Sequence, residues 1–211
     1  MICPLCSRDK TIEFYQDKKR PYWLCQHCEL VYVAEADILG PAEEKAEYDK
    51  HQNQAEDLGY RQFLNRCLEP LINRLSPGAK GLDFGCGPGP TLSLMAKEQG
   101  FDMENYDPFY AHKAELLKQQ YDFITMTEVI EHVRHPRLVL DLLKGLLKPG
   151  GTLAVMTKRR AEPERFAGWH YKNDPTHIRF YNEFSLGYIA QHYGWTMELI
   201  DKDVVFFSAG L

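Results

Sequence analysis

From residue 58 onward, apolar and polar residues follow two different sequence patterns. Short apolar runs that end in a polar residue or a glycine, such as Gly81–Phe84 and Tyr121–Met126, indicate buried strands. Longer stretches with apolar residues three or four positions apart, such as Leu58–Leu75 and Arg137–Leu147, indicate amphipathic helices. Because strands and helices alternate, we expect an α/β domain with a largely parallel sheet covered on both faces.

The same pattern places further elements and one irregular stretch. Residues 158–181 contain prolines and glycine and show the apolar pattern of neither a strand nor a helix. They are predicted to be irregular. The remaining predicted elements are helices at Thr91–Gln99, Ala111–Gln119 and about Asn182–Tyr193, and strands at Phe101–Tyr106, Thr152–Thr157, Thr196–Asp201 and Val204–Ser208, the last two as an antiparallel hairpin.

The part of the chain before Leu58 has a different organisation. Residues 1–36 hold short apolar runs between two cysteine pairs, and we expect them to form a separate small module. Residues 37–57 are polar and charged, with a Gly-Pro break, and are predicted to be a linker that carries a short helix near Ala42–Lys50. Residues 58–211 then form the main domain.

The cysteine spacing in the first module predicts a structural zinc site. Two C-x2-C pairs are separated by residues 7–24, a spacing within the range of four-cysteine zinc sites. A module of this size cannot bury a sufficient core, so a metal would hold it together. A closed four-sulfur site has no open position for catalysis. The predicted ligands of this zinc ribbon are Cys3, Cys6, Cys25 and Cys28.

Composition narrows the cellular setting and the partners. The net charge is −5, which gives no overall basic surface for nucleic acid. No apolar run is long enough to cross a bilayer, so no membrane span and no membrane partner are expected. The first residues do not have the pattern of a signal peptide. We expect a soluble, cytoplasmic protein, with no expectation about its oligomeric state.

A glycine-rich turn carries the strongest functional signal. The strand that ends at Asp83-Phe84 is followed by Gly85, Gly87 and Gly89. Glycine lets the backbone approach a ligand closely, and the next helix directs its free N–H groups to the same place. Asp107 ends the following strand, where an acid can accept both hydroxyls of a ribose. The turn therefore predicts a site for a cofactor that contains a nucleoside.

These segments resemble the class I S-adenosylmethionine-dependent methyltransferases. Residues 82–89 resemble the first motif of that family, and residues 106–108 resemble the ribose-binding second motif. Residues 121–132, including Glu128-Val129-Ile130-Glu131-His132, are similar to the fourth strand and the loop that faces the methionine moiety, as in ubiquinone-type O-methyltransferases. Residues 147–151 are similar to the turn before the fifth strand. The resemblance implies a Rossmann-like methyltransferase sheet and S-adenosylmethionine as cofactor.

The resemblance also implies roles for individual residues. Gly85 and Gly87 would pass under the methionine part of the cofactor, and Asp83 would orient the turn and the cofactor's amino group. Asp107 would bind the ribose, and a side chain at the end of the fourth strand would flank the methionine. The expected cofactor-binding set is Asp83, Gly85, Cys86, Gly87, Asp107, Pro108, Met126, Thr127 and Glu128.

One departure from the family pattern predicts a shortened sheet. Only the short segment 108–120 separates Asp107 from Tyr121, and it contains no credible third strand. We therefore expect six strands in the order 2-1-4-5-7-6, in the family's strand numbers. The adenine contact that the third strand usually supplies is expected from residues 107–110, Phe109 included.

The acceptor site is predicted from two segments. An oxygen or carbon acid needs a base near its proton, and the candidates are His132 after the fourth strand and Asp174 with His177 in the irregular stretch. Trp169 and Tyr171 precede that pair and suit a planar or sugar acceptor. Packing and loop capping are the competing explanations for all of these residues. In ubiquinone-type relatives, Glu128, Glu131 and His132 would hold Mg²⁺, so a second metal site is a further expectation.

Three functions remain open at this point. The favoured one is methyl transfer to oxygen or carbon of a small molecule: a quinone precursor, a sugar nucleotide or a natural product. The second is an RNA methyltransferase whose ribbon grips RNA through residues 18–20, followed by Tyr22 and Trp23. The third is a non-catalytic adapter, against which the intact cofactor motifs argue. The sequence lacks an Asn/Asp-Pro-Pro-Tyr segment, which argues against amino-group methylation of adenine or glutamine.

Overall fold

Two sheets, one large and one small, organise the part of the chain that the computed structural model describes, residues 1–50, 54–160 and 162–210. Residues 51–53 of the predicted linker, residue 161 of the predicted irregular stretch and the final Leu211 lie outside the described residues. Within the described residues, no helix is both long and apolar enough to cross a membrane.

The strands and helices follow the predicted order closely. The strands are β1 (Thr11–Gln16), β2 (Pro21–Cys25), β3 (Val31–Tyr32), β4 (Lys80–Phe84), β5 (Asp102–Tyr106), β6 (Tyr121–Thr127), β7 (Leu147–Met156), β8 (Arg179–Phe180), β9 (Thr196–Leu199) and β10 (Val204–Ser208). The α-helices are α1 (Pro41–Tyr48), α2 (Leu58–Ile72), α3 (Thr91–Glu98), α4 (Pro136–Leu146), α5 (Pro163–Phe166) and α6 (Glu183–Tyr193). Short 3₁₀ turns lie at Glu35–Asp37, Ala114–Lys118, Ile130–His132 and His170–Asn173.

The large sheet has the shortened order that the sequence predicts. Among the described residues it contains six strands in the order β5-β4-β6-β7-β10-β9. The pairs β4–β5, β4–β6 and β6–β7 are parallel, whereas β10 runs antiparallel to both β7 and β9. In the family's numbers this order is 2-1-4-5-7-6, so the predicted methyltransferase sheet is confirmed.

The edge beside β5 shows why the third strand is missing. In the described segment between β5 and β6, Asp107 and Ala111 form an isolated bridge, and Ala114–Lys118 is a 3₁₀ turn rather than the predicted helix Ala111–Gln119. A segment this short cannot supply both a crossover helix and a parallel strand, because the crossover alone would use all of it. The sheet is therefore one strand shorter than the family pattern at the edge beside β5.

Alternation along the strands divides the core between the two faces of the sheet. On one face, Phe123, Ala154 and Phe206 pack against α2 and α3. On the other face, Ile124 and Val155 pack with residues of α4 and α6. Successive side chains of a strand point to opposite faces, so each strand serves both layers. This arrangement is the doubly wound α/β architecture expected from the alternation of elements.

Local sequence signals set several element boundaries. The Asp57 side chain accepts hydrogen bonds from the backbone N–H groups of Gly59 and Tyr60, which fixes the start of α2. That helix ends at Ile72, slightly before the predicted end at Leu75. The predicted Pro-Gly-Gly turn lies inside β7, where the pairing register with β6 shifts between Tyr121 and Phe123.

The ribbon is not an independent module. Its sheet contains β1, β2 and β3 and then, in the described structure, a fourth strand, β8, from the main domain. Val31 pairs with Phe180, and Tyr32 pairs with Arg179. The predicted irregular stretch 158–181 thus contains a helix, a 3₁₀ turn and a strand that completes the ribbon sheet.

A shared apolar cluster explains how so short a ribbon is buried. Tyr22, Val31 and Val33 of the ribbon pack with Phe166 and Phe180 of the main domain. Tyr22 is almost fully buried there, and its ring lies 5.1 Å from that of Phe166. The core that the ribbon cannot build alone is therefore completed by residues that follow β7.

Candidate active site

A cavity of about 700 Å³ opens at the carboxyl ends of β4, β5 and β6. This is the edge at which open α/β sheets bind ligands. Its floor is the turn after β4, and its walls come from the segments after β5 and β6, helix α1 and residues 171–177. The volume lies within the range of small-molecule and cofactor sites.

The glycine turn has the strained geometry that its sequence predicts. Gly85 and Gly87 have φ angles of +84° and +64°, a region that disfavours other residues. A Cβ on Gly85 would lie 2.6 Å from a methyl carbon of Val129. The backbone N–H of Gly85 donates to the carbonyl oxygen of Tyr106 at 2.7 Å. The turn is thereby held against the end of β5 and presents its backbone to the cavity.

Asp107, rather than Asp83, holds the glycine turn by a hydrogen bond. Oδ2 of Asp107 accepts the Gly87 N–H at 3.0 Å, and Oδ1 accepts the N–H groups of Phe109 and Tyr110. A carboxylate has about four acceptor positions, so one position, on Oδ2, remains for a ribose hydroxyl. Asp107 lines the cavity, as predicted for a ribose-binding acid.

Asp83 lies deeper in the cavity and is 3% exposed. Burial raises the pKa of Asp83 to about 7, although the Thr125 hydroxyl, which donates to Oδ1 at 2.7 Å, lowers it. A cationic amino group beside Asp83 would restore the ionised carboxylate, because an opposite charge favours the charged form. The predicted contact with the cofactor's amino group fits this environment, whereas the predicted contact with the turn belongs to Asp107.

The end of β6 corrects one predicted contact. Met126 is fully buried in the core on the α4 side of the sheet and does not line the cavity. Thr127 and Glu128 do line it. Met126 shares its face of the strand with Ile124, whereas Thr127 points to the opposite face. Of the two residues predicted to flank the methionine, Thr127 therefore occupies the required position.

The adenine end of the cavity is closed by aromatic residues and by the predicted linker. Phe109 and Tyr110 line it, in agreement with the expectation for residues 107–110. The Tyr110 hydroxyl donates to Asp49 at 2.7 Å, and the ring of Tyr48 lies 5.9 Å from that of Phe109. Sequence reasoning missed Tyr48, and the available signal was a single aromatic residue at the end of a short polar helix.

Another part of the cavity wall brings together the three predicted catalytic residues. His132, Asp174 and His177 all line the cavity. The ring of Tyr48 lies 5.3 Å from that of His132, so Tyr48 lies between this part of the wall and Phe109. The two imidazole rings lie 4.6 Å apart in an edge-to-face arrangement. Nε2 of His177 is 3.8 Å from an Asp174 oxygen. Residues from two distant segments of the chain thus form one cluster.

Hydrogen bonds set the tautomer of both histidines. Nδ1 of His177 lies 2.6 Å from the carbonyl oxygen of Tyr171, and Nδ1 of His132 lies 3.1 Å from that of Thr176. A carbonyl oxygen only accepts, so each Nδ1 carries the hydrogen of its bond. In the neutral ring the lone pair then belongs to Nε2, the atom that can take a proton or bind a metal.

Three acidic groups beside the histidines differ in their charge state. Burial raises the pKa of Glu128 to about 8 and that of Glu131 to about 7. The Tyr171 hydroxyl lies between them and donates to Glu131. Burial alone would raise the pKa of Asp174, but hydrogen bonds from Thr176 and the nearby His177 hold it below its ordinary value.

The two aromatic residues predicted to lie near the methyl acceptor, Trp169 and Tyr171, have different surroundings. Tyr171 lines the cavity. Trp169 does not line it and instead packs beside Phe166 and Phe180 in the ribbon cluster. For Trp169 the structure favours the packing alternative, because the ring is partly buried against this cluster and does not line the cavity.

Two of the predicted RNA-binding residues of the ribbon make contacts inside the protein. Arg20 and Tyr22 are buried, with 7% and 1% of their surface exposed. The Arg20 guanidinium donates to backbone carbonyl oxygens of residues 172–177. A buried side chain cannot contact a nucleic acid backbone, so these two residues do not support the RNA alternative.

The four ribbon cysteines meet at one point. The sulfur atoms of Cys3 and Cys28 are 3.6 Å apart, and those of Cys6 and Cys25 are 3.4 Å apart. All four lie within 4.8 Å of one another and are buried. A tetrahedral zinc with Zn–S bonds of about 2.3 Å would separate its sulfurs by about 3.8 Å, so this donor set fits zinc.

A family match decides the identity of this arrangement. The family described as methyltransferase domain matches residues 51–200, more than half of the chain. The chain belongs to the methyltransferase domain family. The matched range contains the glycine turn, Asp107 and the three clustered catalytic candidates of this methyltransferase.

Curated relatives of the methyltransferase match over shorter stretches. A ubiquinone biosynthesis O-methyltransferase from Erwinia tasmaniensis is 35% identical over 93 residues, which cover 44% of this chain and 38% of the relative. One from a Salmonella newport strain is 36% identical over 80 residues, covering 38% of this chain and 33% of the relative. The chain spans less than half the length of these relatives.

A solved structure shares the fold of the methyltransferase over almost its whole length. The 1,6-didemethyltoxoflavin-N1-methyltransferase of Burkholderia thailandensis, solved with bound S-adenosylhomocysteine, has a TM-score of 0.56 and 16% identity. The superposition covers 93% of this chain and 98% of that one. At this identity the likeness shows the fold alone. Fold and family together support S-adenosylmethionine as the cofactor of this methyltransferase.

Proposed function

We propose that this protein transfers a methyl group from S-adenosylmethionine to an oxygen or carbon atom of a small molecule. The observation that carries the proposal is the two-ended cavity. One end has the glycine turn, Asp83 and Asp107, and the other has the paired histidines with Asp174. A methyltransferase needs these two functions to face each other across the transferred group.

The cofactor end would hold the donor by its polar groups. The backbone of Gly85, Cys86 and Gly87 would pass under the methionine part, and Asp83 would accept from its amino group. Asp107 would accept from a ribose hydroxyl, with Pro108 and Phe109 beside the base. Thr127 and Glu128 would flank the methionine. The cofactor supplies an activated sulfonium methyl, so these residues need only bind and orient it.

The acceptor end would supply the base. We assign proton removal from the acceptor hydroxyl or carbon acid to Nε2 of His177, whose tautomer is fixed by the bond from Nδ1 to the Tyr171 carbonyl. The nearby Asp174 carboxylate would stabilise the imidazolium that forms. His132 lies against the same ring and would direct the acceptor through its own Nε2. The acceptor atom, freed of its proton, forms the new bond to the methyl carbon as the carbon–sulfur bond breaks.

The charges that line the cavity favour an uncharged acceptor with hydroxyl groups. Glu44 and Asp174 line it, whereas Lys158 is the one lysine or arginine among the described lining residues. Glu128 also lines it, and its Oε1 is buried without a hydrogen-bond partner in the described structure, so a hydroxyl group of the acceptor would satisfy it. A quinone precursor or phenolic natural product fits this lining better than a sugar nucleotide, whose diphosphate would meet these acids.

Zinc in the ribbon is part of the proposal. Cys3, Cys6, Cys25 and Cys28 would hold it, and the four sulfurs leave no open position. Its contribution would be structural, since the cluster is buried on the α4 and α6 side of the sheet, away from the cavity.

The predicted magnesium site does not fit the residues that the structure brings together. Among the described residues, the metal-capable group in this region is Glu131, His132 and His177, and Glu128 is not part of it. Two imidazoles and one carboxylate are an unusual donor set for Mg²⁺, which prefers oxygen ligands. We assign no step to it, and expect added magnesium to leave the methylation rate of the zinc-loaded protein unchanged.

A radiolabelled-methyl assay tests the proposed reaction. The purified protein is incubated with methyl-labelled S-adenosylmethionine and, separately, a set of catechols and phenols, a set of sugar nucleotides and total RNA. We expect label transfer to at least one hydroxylated aromatic compound and none to RNA. Transfer to RNA alone, with steep salt dependence, would replace this proposal with the second function. Failure of the protein to bind S-adenosylhomocysteine in calorimetry would favour the adapter function.

A further inference from the structure

Arg20 connects the ribbon to the acceptor end of the cavity. It lies in the turn between β1 and β2 and is 7% exposed. Its guanidinium nitrogens donate to four backbone carbonyl oxygens, all more than 150 positions away along the chain. The four carbonyl oxygens belong to Lys172 at 3.2 Å, Asp174 at 3.0 Å, Pro175 at 2.8 Å and His177 at 2.8 Å.

The ribbon turn holds Arg20 in a defined position. Oδ1 of Asp17 accepts the backbone N–H groups of Lys19 and Arg20 at 2.7 and 2.9 Å. Oδ2 of Asp17 accepts from the Lys172 ammonium at 3.1 Å and from the Tyr22 hydroxyl at 3.1 Å. The side chain of Lys172 is itself 5% exposed. The turn is therefore anchored to the main domain by the Asp17–Lys172 ion pair as well as by the guanidinium.

The four carbonyl groups that bind Arg20 belong to the segment that orients the catalytic candidates. We call residues 171–177 the acceptor segment. Within it, the Tyr171 carbonyl accepts from His177, and the Thr176 carbonyl accepts from His132. The Asp174 carboxylate accepts from the N–H and hydroxyl of Thr176. Displacement of this backbone would move both histidines and the carboxylate together.

An arginine suits this position better than any other side chain. The acceptor segment contains part of one 3₁₀ turn, His170–Asn173, and the described residues beyond that turn form neither strand nor helix before β8. A planar guanidinium with five N–H donors can bind several converging carbonyls at once, whereas an ammonium has three donors on one atom. Buried carbonyl groups without a donor are costly, so removal of Arg20 would allow the segment to rearrange toward water.

We propose that Arg20 is a positioning residue for methyl transfer, through which the ribbon fixes His177, Asp174 and His132 at the acceptor end. This inference rests on the proposed function, because it assigns a purpose to the geometry of those three residues. A role confined to ribbon stability is the alternative. The two differ in where the effect of a substitution appears.

The test compares Arg20→Met and Arg20→Lys with the wild type and with Lys18→Met, a control for loss of charge at an exposed position in the same turn. Hydrogen–deuterium exchange is followed in peptides that cover residues 170–178 and residues 83–107. Long-range ¹H–¹⁵N spectra report the tautomers of His132 and His177. Zinc content and S-adenosylhomocysteine affinity are measured on the same preparations.

We expect Arg20→Met to accelerate exchange in residues 172–178 at least about tenfold, because several hydrogen bonds are lost together. The Nδ1–H signals of both histidines would change, Arg20→Lys would lie between, and Lys18→Met would match the wild type. Exchange in residues 83–107, the affinity for S-adenosylhomocysteine and the zinc content would stay within about twofold. Once a methyl acceptor is known, we expect Arg20→Met to lower kcat by a larger factor than it changes the KM for the cofactor.

Unchanged exchange in residues 172–178 and unchanged histidine signals in a folded Arg20→Met protein would overturn the proposal. If Arg20→Met does not fold, Arg20→Lys decides the matter by the same two measurements, and a wild-type result there also overturns it. The proposed function fails separately, through absence of cofactor binding or methyl transfer in the wild type, which leaves the exchange result intact.

Discussion

The two ends of the cavity are built in different ways. The cofactor end comes from contiguous stretches at the tips of neighbouring parallel strands, and its key bond joins Gly87 to Asp107, 20 positions apart. The acceptor end comes from the ribbon, a 3₁₀ turn after β6 and the segment before β8, with bonds that span up to 157 positions. Apart from the Tyr110–Asp49 bond, the proposed cofactor site is therefore held by contacts close along the chain, whereas the proposed acceptor site depends on how distant parts of the chain pack.

Loss of the ribbon metal should separate the two ends most strongly. Structural zinc contributes about 10–16 kcal/mol of binding free energy in small zinc modules, comparable to the stability of a whole domain. We expect Cys25→Ser to lose zinc and to expose β1–β3 and the acceptor segment to hydrogen exchange, while residues 83–107 keep their protection. Zinc returned to chelated wild-type protein is the control. Equal loss of protection from hydrogen exchange in residues 83–107 and in the acceptor segment would contradict the proposed difference between the two regions.

Removal of the proposed base should abolish turnover without affecting the cofactor. General base catalysis contributes about 10²- to 10⁴-fold, so we expect His177→Ala to lower kcat by that factor. The affinity for S-adenosylhomocysteine, measured by calorimetry, should not change. His192→Ala, at an exposed position on α6, is the matched control. Weaker cofactor binding with normal kcat would place His177 at the wrong end of the cavity.

Removal of the ribose acid should have the opposite signature. Hydrogen bonds to a charged group contribute about 1.5–3 kcal/mol, so Asp107→Ala should weaken S-adenosylmethionine binding roughly 10- to 150-fold. The loss of the bond to Gly87 would add to this effect. Asp102→Ala, at the exposed start of the same strand, should bind normally. An unchanged affinity for Asp107→Ala in calorimetry would remove Asp107 from the cofactor site.

The smallest expected effect is on the pH dependence of stability. Burial raises the pKa of Asp83 and Glu131 to about 7 and that of Glu128 to about 8. A carboxyl group with a raised folded-state pKa stabilises the fold at low pH, and this contribution is lost as the pH rises through that value.

The free energy of unfolding of the cofactor-free protein should therefore fall by about 1–3 kcal/mol between pH 6 and pH 8.5. Urea denaturation at constant zinc measures it. Asp83→Asn should reduce the slope below about pH 7 and leave it unchanged above that pH. A stability that rises over this interval would show that these carboxyls are ionised at neutral pH.

The sequence predicted the cofactor end well because its signals are local. The glycine turn, Asp107 and the short segment between Asp107 and Tyr121 all lie within residues 83–121. The shortened sheet follows from the length of that segment alone. Met126 was wrong for a reason that is also local. Strand alternation places it on the face of Ile124, in the core, and gives the cavity to Thr127.

The acceptor end was predicted by residue type but not by arrangement. Its position in the irregular stretch singled out His177, yet no periodic pattern shows that β8 pairs with β3 of the ribbon. Trp169 packs against the apolar cluster beside that pairing, and Arg20 donates hydrogen bonds to backbone carbonyl groups of residues 172–177. Contacts between such distant parts of the chain leave no local signature, so the sequence does not predict them.

A crystal structure of the complex with S-adenosylhomocysteine would show directly whether one cavity holds the methyl donor and the base on the two sides of the transferred methyl group. The account predicts the cofactor's amino group beside Asp83, its ribose on Asp107 and its sulfur near Thr127. Nε2 of His177 would then lie within about 8 Å of the sulfur, across the space for one acceptor atom. A sulfur atom that points away from His132 and His177, or a cofactor bound outside this cavity, would contradict it.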